Sequence, residues 1–229
     1  MKKVLLFSFV LTIIFFVSAT SVNAQQNTKK MTRSEIKSMI GNWPEASQLA
    51  TLDMMDKYGE PNETTASMLI WYNNGPWKRT VIYNVETKHI FPVDHVDVME
   101  QFIDYKVPAD KFDELAMYDG SVTVKRTDGE MSAKCDKEGA NFIAINLAVD
   151  VINNKKTVEE ARNFYAKTIK EFALENKMSD YMKSFQFTMM SKETQDADKH
   201  AFGNDVNMQI TDAMKKMNRE MLEKMKMKN

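Results

Sequence analysis

The sequence predicts an α+β fold, two antiparallel β-hairpins packed by helices and followed by a C-terminal amphipathic helix. Three observations carry this. Two runs with strand-like alternation are each interrupted by a turn dipeptide, Asn74-Gly75 and Asp128-Gly129. Two capping boxes, Thr32 with Glu35 and Thr157 with Glu160, mark helix starts. Only 7 glycines and 5 prolines occur in 229 residues, which favours long regular elements over a loop-rich scaffold.

In chain order, residues 1–24 read as a secretory signal peptide. Lys2 and Lys3 lead an apolar run from Val4 to Val17, too short to span a bilayer, and small residues close on Val22-Asn23-Ala24. No cysteine stands at the cleavage point to take a lipid, and nothing after Ala24 is apolar for long enough to cross a membrane. The expectation is an exported protein, periplasmic or secreted. Residues 25–175 then form an α+β domain, and residues 176–229 a Met-rich, partly flexible helical segment. Without Lys2 and Lys3 the 31 basic residues become 29 against 32 acidic, a formal charge of −3 with no basic footprint for nucleic acid. Cys135 is the only cysteine, so no intramolecular disulfide is available and stability rests on burial.

A short helix runs from Thr32 to Ile40 and ends at Gly41. In the next, Asn42 is the expected cap, Pro44 sits in the first turn, Ala46, Leu49, Ala50 and Leu52 supply the stripe, and Gly59 with Pro61 stops it. With a two-residue turn at Asn74-Gly75, Tyr72 faces Trp77, Ile70 faces Arg79 and Met68 faces Val81, while Leu69, Trp71, Thr80 and Ile82 share the other side. Both faces carry apolar residues, so both are expected to be covered. Asp94 is then the expected cap of a helix carrying Val96, Met99, Phe102 and Ile103, and beyond Pro108 comes a short helix with Phe112 and Leu115.

In the second hairpin, a turn at Asp128-Gly129 pairs Val124 with Ala133 and Val122 with Cys135, gathering the small and apolar side chains with Met131 on one buried face. The stretch from Asn141 to Ile152 is apolar nearly all round, as in a central buried helix. Thr157 opens a helix whose inner side carries Val158, Ala161, Phe164, Tyr165, Ile169 and Phe172. After an ambiguous run and a polar stretch, a last helix spans Met208 to Met227.

The run Lys57-Tyr58-Gly59-Glu60-Pro61, then Leu69-Ile70-Trp71-Tyr72, Gly75-Pro76-Trp77-Lys78-Arg79-Thr80, Asp119-Gly120-Ser121 and Asn141-Phe142, resembles a family of uncharacterised secreted bacterial proteins. The resemblance implies no activity. A helix ending in Tyr-Gly-x-Pro before a Trp/Tyr-bearing hairpin is also similar to the small modules of beta-lactamase-inhibitor-like and outer-membrane-assembly lipoproteins. That likeness implies protein binding, although this chain lacks the lipid-attachment cysteine.

Four groups of residues can carry chemistry. His89, Asp94, His95 and Asp97 combine imidazole and carboxylate, a usable set for a divalent ion, against the plainer reading of Asp94 as a helix cap and Asp97 as a first-turn acid. Cys135 with His89 or His95 suggests a thiolate-imidazole pair, although the hairpin register buries the sulfur. Trp71, Tyr72, Trp77 and Arg79 suggest an aromatic, cationic binding surface, against ordinary cross-strand packing. Met214, Met217, Met221 and Met225 place thioethers on neighbouring helical turns, suited either to Cu(I), with His200 as a further ligand, or to docking of an apolar stripe. A third use of that helix, on an anionic membrane through Lys215, Lys216, Arg219, Lys224 and Lys226, is diluted by Glu220 and Glu223. The functional expectation is a non-catalytic protein without cofactor that binds a protein or envelope component. A Cu(I)-binding protein is the alternative, and a metal- or thiol-dependent hydrolase the third.

Overall fold

The structure, a computed structural model, describes residues 30–190 and 193–227; the sequence-predicted leader lies outside them. The fold is α+β. Helices α1 (Arg33–Ile40) and α2 (Glu45–Tyr58) precede strands β1 (Glu63–Thr64), β2 (Met68–Asn74), β3 (Trp77–His89) and β4 (His95–Asp104). Helix α3 (Phe112–Tyr118), strands β5 (Val122–Lys125) and β6 (Glu130–Cys135), and helices α4 (Glu138–Ile152), α5 (Val158–Glu175) and α6 (Asn204–Lys226) follow. The strands form one antiparallel sheet in the order β1-β2-β3-β4-β6-β5, so the two hairpins expected from the turn signals are joined edge to edge by β4.

That strand replaces the helix expected after Asp94. Its side chains alternate between the two sheet faces, and both sides are largely buried because it pairs with β3 and β6 in the middle of the sheet. A continuous apolar run of this kind also satisfies helical spacing, and the β-branched Val96 and Val98 were the distinguishing signal.

Both hairpin registers differ from expectation by two residues. Trp71 pairs with Thr80 and Tyr72 with Arg79, placing Gly75-Pro76 at the bend. Gly75 has φ +65°, and proline holds the next φ negative, the sign sequence of a type II′ turn. A Cβ on Gly75 would lie 2.8 Å from the Tyr58 ring, so the bend also needs glycine for close approach. In the second hairpin Val122 pairs with Ala133 and Val124 with Met131, across a four-residue connection from Arg126 to Gly129. A two-residue shift leaves side chains away from the bend on their inferred faces while the opposing pairs change; Trp77, expected beside Tyr72 and Arg79, instead packs with the helices on the other face.

The sheet face bearing Leu69, Trp71, Ile82 and Met99 packs with Ile36, Ile40, Met54 and Met55 from α1 and α2. Farther along, Trp77, Ile103, Met131 and Ala133 pack with α4, α5 and Tyr118. Both capping boxes are present. Helix α2 differs: Pro44 stands at the cap with no side-chain bond, and its buried residues are Ser47, Ala50, Thr51, Met54 and Met55, leaving Leu49 60% exposed. Helix α4 is enclosed, with every residue but Gly139 buried.

A buried polar line runs between the two apolar clusters. Asn74 and Gln101 donate to Thr80 Oγ1 at 2.9 and 3.1 Å, and Asn141 donates to Gln101 Oε1 at 3.0 Å. Glu138 is its end point. It accepts from Tyr58 Oη at 2.8 Å, from Trp77 Nε1 at 2.7 Å and from Lys57. On the opposite sheet face, Arg79 grips Glu130 through two hydrogen bonds of 2.6 and 2.7 Å and stacks on Phe102 at 3.6 Å.

Packing continues past residue 175. Met182 is buried in the α4 cluster, Phe185 and Phe187 lie against it, and Asn146 donates to the carbonyls of Tyr181 and Ser184 at 2.9 and 2.8 Å. The segment from Thr194 to Asp198 closes over the β5–β6 connection. There Asp196 N–H donates to the Arg126 carbonyl at 3.2 Å, and Arg126 pairs with Asp196 and Asp198. A Cβ on Gly129 would meet the Thr194 carbonyl carbon at 2.3 Å, so this crossing requires glycine.

Candidate functional site

Between α2, α4, α5 and the β3–β4 connection lies a large apolar groove of about 1130 Å³. Phe142, Tyr165, Ile169, Phe172 and Met182 line it. Leu49, Val93 and Met178, all exposed, line it too. Apolar surface gathered in a concavity, rather than scattered singly, is the signature of a binding site. Four acids stand around it, Glu45, Asp53, Glu86 and Asp94, and none forms an ion pair among the described residues. The three lysines at the groove are otherwise committed, Lys57 to Glu138, Lys137 to Asp136 and Lys183 to Asp180. The rim is therefore acidic over an apolar floor.

One wall of the groove carries His95 and Cys135. Strand spacing puts His95 and Asp97 on one face of β4, and pairing sets His89 of β3 opposite His95. His95 Nε2 lies 3.2 Å from Asp97 Oδ1, His89 Nδ1 3.3 Å from Asp97 Oδ2, and the imidazole centroids are 4.7 Å apart. The outward nitrogens are also placed, His95 Nδ1 at 2.8 Å from the Val93 carbonyl oxygen and His89 Nε2 at 3.6 Å from Asp119 Oδ1. Phe91 holds this connection, edge-on to Tyr165 at 5.5 Å and stacked by the Arg162 guanidinium at 3.7 Å. The Asp97 carboxylate, then Cys135, raises the His95 pKa to about 11. Asp94 stands outside the cluster, and its expected role as a helix cap falls with the helix.

Cys135 is buried, as the hairpin pattern predicts. Burial pushes its thiol pKa up against the opposing pull of His95, the reverse of the shift that activates a nucleophilic cysteine. The expected aromatic surface is absent. Trp71 and Trp77 are each 1% exposed, their ring N–H groups bonded to the Gly59 carbonyl and to Glu138, and Arg79 is spent on Glu130. Only Tyr72 is open, bonded to Glu63. Alternation placed Trp71 correctly on a covered face but set Trp77 beside Tyr72 and Arg79 on the other; in the structure Trp77, next to the bend, turns to the helix side and packs on Phe142.

Helix α6 is amphipathic and has no buried residue; Met214, Met217, Met221 and Met225 are 59–66% exposed. No helix among the described residues is long and apolar enough to cross a membrane. No protein-family model, curated protein or solved structure matches the chain.

Proposed function

We propose that the chain is an exported, non-catalytic binding protein whose groove receives a basic amphipathic helix, namely α6 of a second copy. The observation that carries this reading is the apolar groove rimmed by Glu45, Asp53, Glu86 and Asp94. An amphipathic helix laid with its apolar side in such a groove is a recurrent mode of protein recognition. The C-terminal half of α6 has the complementary chemistry, with Met214, Met217, Met221 and Met225 continuing the stripe from Ile210, and Lys215, Lys216, Arg219, Lys224 and Lys226 outnumbering Glu220 and Glu223 alongside. Methionine suits such a contact because its unbranched thioether adapts to irregular surfaces. Since α6 contributes no buried residue to its own body, the body keeps its core without it.

The test is light scattering of the mature chain beside a version ending at Gly203, followed by titration of the shortened body with a synthetic α6 peptide. A dimer for the mature chain, a monomer for the shortened one, and peptide binding that weakens with added salt are the expected results. A monomeric mature chain and no peptide binding sink the reading, and a dimer that survives shortening moves the interface elsewhere.

The runner-up is Cu(I) binding by Met214, Met217, Met221 and Met225, favoured by their exposure on adjacent turns. Anaerobic Cu(I) titration separates the two. Binding that vanishes on shortening supports copper, and absence from both versions leaves the stripe as a docking surface.

A further inference from the structure

We propose that His89, His95 and Asp97 form a site for a divalent transition-metal ion of the zinc class, with every ligand drawn from the body's own strands β3 and β4 rather than from α6. Two imidazoles and one carboxylate are a recurrent ligand set for such ions. Their ligand atoms all lie within 4.8 Å of one another. The Asp97 carboxylate stands between the two rings, one oxygen 3.3 Å from His89 Nδ1 and the other 3.2 Å from His95 Nε2.

A second observation points to a missing ligand partner. His89 Nδ1 and Asp97 Oδ1 are buried and make no hydrogen bond, although each approaches the opposing group to within 3.3 Å. Buried polar atoms are normally paired, so these two leave lone pairs beside the rings that a cation could take. Asp97 is itself 4% exposed, so water is a poor substitute partner.

The surroundings carry the third argument. A metal-bound histidine commonly donates its other ring N–H to a carboxylate or a backbone carbonyl, which fixes the tautomer and the ring. Both forms occur here. His89 would bind through Nδ1 with Nε2–H directed to Asp119, and His95 through Nε2 with Nδ1–H directed to the Val93 carbonyl. Asp119 is held in turn by the N–H and hydroxyl of Ser121 at 2.9 and 2.8 Å. Strands β3 and β4 supply the ligands, and the rigid loop pinned by Phe91 supplies the carbonyl, so the set is held by regular structure.

The experiment is titration of the metal-free mature chain with Zn²⁺ in competition with a chromophoric chelator, with Co²⁺ as spectroscopic probe. One equivalent bound, a visible Co²⁺ spectrum of four-coordinate nitrogen and oxygen ligation, and a Tm raised by Zn²⁺ are expected. Asp97→Asn and His89→Gln should abolish all three, Asp119→Asn should weaken binding about 10- to 100-fold, and His200→Gln or removal of α6 should change nothing. The absence of saturable binding in the unaltered protein overturns the proposal without reference to any variant. Retention of the Co²⁺ spectrum in both Asp97→Asn and His89→Gln overturns it equally, as does loss of binding with α6.

Discussion

Helices α4 and α6 put their apolar residues to opposite use. In α4 they surround the helix, and the fold has closed over it from every side. In α6 they lie in one stripe at three- and four-residue spacing, and none is covered. The comparison shows that one chain can hold two kinds of apolar helix: one bound into the body's own stability, the other with its stripe uncovered among the described residues. A helix of the second kind is expensive to leave in water unless something takes it up, which is why its partner, rather than its fold, is the question it raises.

The comparison breaks most readily at α4. Leu147→Ala, in a fully buried position, should cost about 3 kcal/mol in urea unfolding. Glu138→Ala, at the start of the same helix, should cost about 2 kcal/mol because it leaves the Trp77 N–H without its acceptor and Lys57 without its counter-charge. The outer sheet face is an intermediate case. Arg79, then Lys78, hold the Glu130 pKa down from the usual 4.5 to about 2. Because the folded value is the lower one, this contribution is full above pH 4.5 and is lost as pH falls through 2. The stability difference between the unaltered chain and Glu130→Gln should therefore be largest near neutrality and shrink across that window in acid unfolding. At the small end, Met217→Ala should change stability by less than about 0.5 kcal/mol while weakening self-association in the scattering experiment. A large loss of stability there would erase the distinction between the helices.

How much of this was readable from residues alone follows a physical division. Capping boxes are local, so Thr32 with Glu35 and Thr157 with Glu160 were found where the structure has them. The faces of both hairpins were legible, except at Trp77 beside the bend, because side-chain alternation survives a two-residue slip; the partners were not, because either of two adjacent dipeptides can bend the chain at Gly75. Strand β4 was misread because a strand buried on both faces loses its alternation, and neighbouring strands decide its state. That error hid the geometry of the candidate cluster, not its residues, since His89, His95 and Asp97 already stood together as possible ligands. Once β4 is a strand, His95 and Asp97 at spacing two share a face; as a helix they would diverge. Asp119, more than twenty residues away, carried no local sign of its part. Lining of the groove by Leu49 was equally invisible, since its position suggested a core stripe that the structure rotates away.

The closure of Thr194–Asp198 over Gly129 sets the terms of any encounter that α6 makes. It moors the chain to the tip of the second hairpin, leaving only residues 199–203 as a tether before a rod of 23 residues, roughly 35 Å long. Any docking of the rod would thus be limited in reach by that post. Replacing the lone hydrogen of Gly129 with a methyl group would unseat that post and widen the sweep, altering how often the helix meets a neighbour without touching a single residue of the stripe or of the groove.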